Sequence, residues 1–441
     1  MSNGSEHLND NVLGIDFGTC FSSAALLKGG VPEPVREPFG SGFAMPSSVV
    51  LTSEGNLAVG QVAENAKYLT PDHYRREFKR DLARREPIPL GDREFFAEEL
   101  VTAILRTLRL EAEESVHAPV SSATITVPAT YASARRSEMA SAALAAGFSH
   151  VELLDEPVAA AIYGNVRHPL QNDSAMTLVY DLGGGTFDAT LVRQAGESYE
   201  VVGAPVGLSH CGGIDFDRLI YSDILNQVSD SYRDLLDHQR SDTLGRQARR
   251  QAEDFATRVK YQLSHLQQYE DQLTLTIPFE HYQLSRARFN EMITPLLDET
   301  IDQCHHLLTD SGISPSDLDR ILLVGGSARI PLVRELLERE FSVVPVRADD
   351  PEMAVCKGAA IHGGQVEKPA QSGTNVYQAA AQYESSAETT PQASDYSQTV
   401  SPASRSGTRR DSTVALFVIL ALVTLVGVFC VCVFLASAFE G

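Results

Sequence analysis

Between residues 12 and 365 the apolar positions fall into two alternating kinds of segment. Short β-favouring runs such as VLGIDF and ILLV read as strands, and longer stretches with apolar residues three or four apart read as helices. Strands alternating with helices are the signature of an α/β fold. In QARRQAEDFATRVKYQLSH, Ala252, Phe255, Val259 and Leu263 recur at helical spacing and form the expected core stripe. Thr257, Lys260, Tyr261 and Ser264 fall on a neighbouring stripe of the same helix.

The pattern changes twice beyond this region. Residues 366–413 are rich in Ser, Thr, Gln, Ala and Pro, with almost nothing aliphatic to bury, which predicts a disordered linker spanning roughly 35–40 Å. Residues 414–439 carry no charge. At about 1.5 Å per residue they give roughly 39 Å as a helix, enough to cross a hydrocarbon core with some tilt. Arg405, Arg409 and Arg410 precede this run, so the positive-inside rule predicts a single-pass tail anchor with the folded region on the cytoplasmic side. Residues 1–11 are polar and acidic, lack the features of a secretory signal, and are expected to be disordered.

Charge and cysteine usage narrow the function. A formal net charge of −22 and no basic stripe argue against nucleic acid as a partner. The six cysteines form no metal-ligating or disulfide pattern, which fits a reducing compartment.

One stretch breaks the strand pattern: VYDLGGGTFDATLV, with Gly183, Gly184 and Gly185 between two apolar runs. Glycine weakens a strand, so three in a row call for another reason. VLGIDFGTCFSSAALL repeats the plan, with Asp16, Gly18 and Thr19 matching Asp181, Gly183 and Thr186. Each reads as a β-hairpin whose glycines supply the positive φ of a tight turn. One such hairpin is as readily a structural turn, but two copies read as related halves of one site. Successive glycine N–H groups make an anion-binding concavity, Thr19 and Thr186 add hydroxyls, and Asp16 and Asp181 offer oxygen ligands for Mg²⁺, directly or through its waters. A nucleoside triphosphate suits this chemistry, and no GxxxxGK[ST] motif competes with it. A third glycine turn follows a strand at Val324: Gly325 and Gly326 could let a flat ring or sugar approach the backbone, with Pro331 opening the next helix.

These segments, with MPSSVVL, ITVPATY, VELLDEPVAAAIYG and HCGGIDFDRLI in order between them, resemble the ATPase domain of the heat-shock protein 70 chaperones, within the actin-like superfamily. The resemblance implies a two-lobed α/β actin-like ATPase fold over residues 12–365, with lobe I about 12–170, lobe II about 171–365, and ATP or ADP with Mg²⁺ in a central cleft. It implies that Lys79 positions or activates the attacking water and that Glu156 lies near that water and the Mg²⁺ shell. From its own surroundings Lys79 reads as part of a solvated charged run, and Glu156 as a carboxylate opening a helix. Asp188 is implied to organise the phosphate cleft. Gly212 and Gly213, Lys260 and Ser264, and Gly325, Gly326, Ser327, Arg329 and Ile330 are implied around the ribose and adenine. Pro128 and Arg136 match the family's switch elements.

The departures from the family pattern are specific. Thr257 stands where a glutamate is usual and Tyr261 where an arginine stacks on adenine. Glu352 replaces an aspartate, and Cys20 replaces a second threonine beside the phosphates. Nucleotide affinity is therefore expected to be retuned. After Gly364 the chain runs into the linker, so no peptide-binding β-domain is expected in this sequence. The expected function is a membrane-tethered, Mg·ATP-binding and ATP-hydrolysing chaperone-like protein, whose nucleotide state controls unidentified client or co-chaperone-like partners. An ATP-binding sensor or scaffold with little hydrolysis is the alternative. A sugar kinase or an actin-like filament protein is a minor one.

Overall fold

The computed structural model describes residues 11–365, apart from 41, 171, 173, 276–278 and 349. The expected linker at 366–413 and membrane span at 414–439 lie outside the described residues, as do residues 1–10 of the expected disordered N-terminus. Among the described residues no helix is long and apolar enough to cross a membrane.

Both glycine segments form antiparallel hairpins. Val12–Phe17 pairs with Phe21–Lys28, and Ser174–Leu182 pairs with Phe187–Ala195. Each first strand also takes a parallel partner on its other edge: Ser122–Val127 beside Val12–Phe17, and Arg320–Val324 beside Ser174–Leu182. The first hairpin lies in a sheet ordered His150–Asp155, Ser122–Val127, Val12–Phe17, Phe21–Lys28, Val31–Pro34, with Ala44–Pro46 also on Phe21–Lys28. The second lies in a sheet ordered Ser198–Leu208, Phe187–Ala195, Ser174–Leu182, Arg320–Val324, Val346–Arg347. This mixed α/β arrangement agrees with an actin-like ATPase fold.

Strand alternation decides what each face does. Leu13, Ile15 and Phe17 point into a core shared with Leu100, Ile104 and Ile125, while Leu178, Tyr180 and Leu182 point into another with Phe216, Phe255 and Phe289. The opposite faces carry Gly14 and Asp16 in one sheet and Val179 and Asp181 in the other. They meet two helices, Glu156–Arg167 and Ala354–Gln365. Val158, Ala159 and Ile162 of the first helix pack with Val179 and Leu322 of the second sheet and with Val355 and Ala359 of the second helix. That second helix also packs through Cys356 and Ala360 on Ala25 and Leu27 of the first sheet.

Two glycines permit this sandwich. A Cβ on Gly14 would lie 2.2 Å from the Ala360 nitrogen and the Cys356 oxygen, and one on Gly358 would lie 1.8 Å from the Ala159 oxygen. Backbone cannot swing aside as a side chain can. Gly358→Ala is therefore expected to destabilise the protein by about 3 kcal/mol or more, read from the denaturant midpoint of the full chain. A midpoint equal to that of the parent protein refutes this account of the helix pair.

Candidate nucleotide and cation site

The expected site residues come together, with three exceptions, around one cavity of about 740 Å³. Its volume is that of an ordinary small-ligand site. Both hairpin turns line it, as do Lys79, Glu156, the turn Gly325–Ile330 and Glu352. From the helix Thr243–Leu263 and its C-cap, Thr257, Lys260, Tyr261 and Ser264 reach the same space. Asp188, Gly212 and Gly213 do not line it.

The glycines of the two turns do not supply the positive φ expected of them. None of Gly18, Gly183, Gly184 and Gly185 adopts the left-handed conformation. Close approach explains most of them: a Cβ on Gly18 would meet the Phe21 oxygen at 2.2 Å, and one on Gly184 would meet Cys20 Sγ at 2.3 Å. The two hairpin tips are thus packed on each other. Gly325 alone in this group needs positive φ, at 83°, and it also crowds the Leu182 oxygen at 2.4 Å.

The triple-glycine loop has its carbonyls tied back into the protein. Gly183 O accepts from Gly213 N–H (3.1 Å) and the Ser327 hydroxyl (2.8 Å), and Gly184 O accepts from Ile214 N–H (2.7 Å). Gly185 O accepts from the Arg80 guanidinium. Among the described residues no hydrogen bond uses the N–H groups of Gly184, Gly185, Thr186, Thr19 or Cys20, and all five residues border the cavity. Several free donors on neighbouring residues make this rim chemically suited to an anion with several oxygens. Gly212 and Gly213, expected at the nucleotide, do not line the cavity and pack against residues that do. A Cβ on Gly212 would lie 2.7–2.8 Å from the Gly185–Thr186 backbone, and Gly213 O accepts from Lys260 Nζ at 2.8 Å.

Below the rim, charge is concentrated. Lys79 Nζ lies 3.0 Å from Glu156 Oε1, and each residue is 8 % exposed. Burial by itself would favour neutral lysine. Glu156, with Tyr131 and Asp16, outweighs it and raises the Lys79 pKa above the ordinary lysine range. Burial first, and the Glu156 charge second, raise the pKa values of Asp16 and Asp181 as well. Asp188 follows the same causes to about 7, while Thr130 donates to it at 3.1 Å. One ammonium does not balance these carboxyls, so the floor has the chemistry of a divalent-cation site. Among the described residues no three His, Cys, Asp or Glu side chains converge closely enough to hold a metal alone. A cation shared with phosphate oxygens and water fits that spacing.

At the far end, Lys260 Nζ lies 2.8 Å from Asp217, and Thr257 Oγ1 donates to Asp217 at 3.0 Å. Thr257 thus braces a wall. Tyr261 is 47 % exposed and lies under Lys260, and Arg329 pairs loosely with Glu352 at 3.5 Å on the rim. Asp217 was not identified from sequence. The HCGGIDFDRLI stretch contained it, but only tertiary contact with Lys260 and Thr257 gives it a place. Arg136, from the expected switch, donates to Tyr131 O at 3.0 Å and pairs with Asp155, the residue before Glu156.

If close packing is what the loop needs, Gly184→Ala lowers nucleotide affinity at least about tenfold, and adding Cys20→Gly restores part of it. Isothermal titration with ATP and ADP reads both effects. Unchanged affinity in Gly184→Ala refutes the close-packing account.

A family model described as Hsp70 protein matches residues 12–377, a span that begins at the first hairpin strand and contains all the elements above. Members of this family bind ATP or ADP with Mg²⁺ and act as ATPases. With two hairpins, a buried lysine–glutamate pair and the glycine turn at 325–326 in the matched span, the chain belongs to the Hsp70 family.

Proposed function

We propose that this protein is a membrane-tethered Mg·ATPase of chaperone type, in which the nucleotide state of the cavity controls what the protein binds. The observation that carries this reading is the Lys79–Glu156 pair on the same cavity as two hairpin turns with unused N–H donors. Phosphoryl transfer to water chiefly requires positioning and charge neutralisation. The N–H groups of Thr19, Cys20, Gly184, Gly185 and Thr186 would hold phosphate oxygens. Asp16 and Asp181, with Glu156 nearby, would hold Mg²⁺ through its waters, and the ion, when bound, would supply positive charge to the phosphate oxygens. Lys79 and Glu156 would orient the attacking water, Glu156 accepting its hydrogen bond and Lys79 stabilising the negative charge that develops. Lys260, Ser264 and the Gly325–Ile330 turn would hold the nucleoside.

The tether is part of the proposal because residues 414–439 are uncharged and follow three arginines. That composition would place the ATPase region at the cytoplasmic face. Partners would be client or co-chaperone-like proteins that distinguish two nucleotide states.

Lys79→Ala is expected to abolish single-turnover hydrolysis of Mg·ATP while ATP binding stays within about threefold of the parent. Hydrolysis that persists without Lys79 removes this mechanism. ATP binding by the parent without any turnover selects the sensor or scaffold, a reading favoured by the half-exposed Tyr261 at the adenine end. Ion pairs at the cavity join residues 67–76 to the helix Thr243–Leu263: Lys67 to Asp254 at 2.8 Å and Arg76 to Glu253 at 3.2 Å. Lys67→Ala should speed ADP release several-fold in stopped-flow chase, and the difference from the parent should shrink at high salt. Equal release rates at low salt show that these pairs do not gate the cavity.

A further inference from the structure

We propose that Arg80 is a positioning residue that keeps the triple-glycine loop in register with Lys79, through a ring of four alternating charges. The inference rests on the ATPase reading above and adds a residue that does not border the cavity.

Lys79 and Arg80 are neighbours in the short 3-10 turn Phe78–Asp81, yet they serve opposite directions. Lys79 turns to Glu156, and the Arg80 guanidinium passes behind the loop to donate to Gly185 O. Gly185 is crowded: a Cβ there would lie 2.8 Å from Thr19 Cγ2 and 2.9 Å from Arg80 Nη2. The catalytic-site ammonium and the contact that holds the glycine loop therefore come from adjacent residues of one turn.

Around Arg80 the charges alternate. Glu77 Oε2 is 3.3 Å from Arg80 Nη1, Arg80 Nη2 is 3.9 Å from Asp215 Oδ2, Asp215 Oδ1 is 2.9 Å from Arg218 Nη1, and Arg218 Nη2 is 3.9 Å from Glu77 Oε2. The ring joins the Lys79 turn to the helix Gly213–Gln227, whose first residues also hold the Gly183 and Gly184 carbonyls. Two features mark it as more than surface pairing. Glu77 and Ala83, which bracket the turn, both have left-handed backbones, with φ of 66° and 64°, a conformation that non-glycine residues keep only where their surroundings enforce it. Arg80 Nε and Asp215 Oδ2 are buried without a hydrogen bond among the described residues, so the link between the two sides is only half made. A sub-ångström approach would complete it and carry the glycine loop along.

The test uses the full-length chain and three variants: Arg80→Ala, Arg80→Lys and Asp215→Asn. Single-turnover Mg·ATP hydrolysis should fall about tenfold or more in Arg80→Ala, with ATP affinity changed less than about threefold. Arg80→Lys should be intermediate, since an ammonium can reach one acceptor but cannot span two as a guanidinium fork does. It also serves if Arg80→Ala does not fold. Asp215→Asn should follow Arg80→Ala in direction. Hydrolysis at the parent rate in both Arg80 variants, or a loss that only tracks lost ATP binding, overturns the proposal.

A second readout is independent of turnover. Cys20 Sγ packs on Gly184, so its alkylation rate, followed by peptide mapping, reports displacement of the loop. Arg80→Ala should speed Cys20 alkylation several-fold. If the parent protein does not hydrolyse ATP, the ATPase reading fails and the alkylation result alone decides: a faster rate keeps the positioning role, and an unchanged rate ends it.

Discussion

The backbone contact between the helices Glu156–Arg167 and Ala354–Gln365 is the constraint on which the rest of the site depends. With no side chain at Gly358, the two helices approach until Ala159 O occupies the space a Cβ would fill. With none at Gly14, the second helix settles directly on the strand that ends in Asp16-Phe17. The inner faces of both sheets are thereby brought onto one helix pair. Asp16 shares its face with Gly14, and Asp181 shares its face with Val179, so both carboxyls arrive at the same cavity. Glu156 joins them because it opens one of the same two helices.

Crowding carboxyls in this way creates the electrical character of the site. Burial and mutual repulsion raise the pKa values of Asp16, Asp181 and Asp188, while the same negative surroundings keep Lys79 protonated despite its burial. Above them the glycine loop presents N–H groups whose carbonyl ends are already tied back by Gly213, Ile214, Ser327 and Arg80. A carboxyl-rich floor and a donor-rich rim favour a cation below and an anion above, which is the polarity of a metal–polyphosphate ligand.

Much of this was legible in the chain, and the reasons for the gaps are physical. The hairpins were readable because apolar runs interrupted by glycine are local signals, and so were the two stripes of the helix Thr243–Leu263. The conformation expected of the glycines is not the one they adopt. Turn chemistry pointed to positive φ, whereas Gly18 and Gly184 are needed for contacts with Phe21 and Cys20, of which Cys20 belongs to a hairpin some 160 residues away from Gly184. Gly212 and Gly213, expected as ligand contacts, pack against the Gly185–Thr186 backbone and beside Lys260, a neighbourhood that only the tertiary structure supplies. Arg80, Asp215, Asp217 and Arg218 gave no signal at all, since a charged residue in a charged run looks the same whether it faces water or a loop.

What the sequence by itself determined is the repertoire: an α/β chain, two matching aspartate–glycine–threonine turns, the family they belong to, and the uncharged run near the end. The elements and the uncharged run follow from composition and periodicity, which act over a few neighbouring residues, and the family follows from the resemblance of the ordered motifs. What only the tertiary structure decided is which faces of those strands meet, and therefore which charges are buried together. Alternation puts Gly14 with Asp16 on one side of a strand but does not say what lies against that side. That answer comes from helices more than a hundred residues distant, packed through glycines to backbone contact, and it turns separate turns and charges into one site.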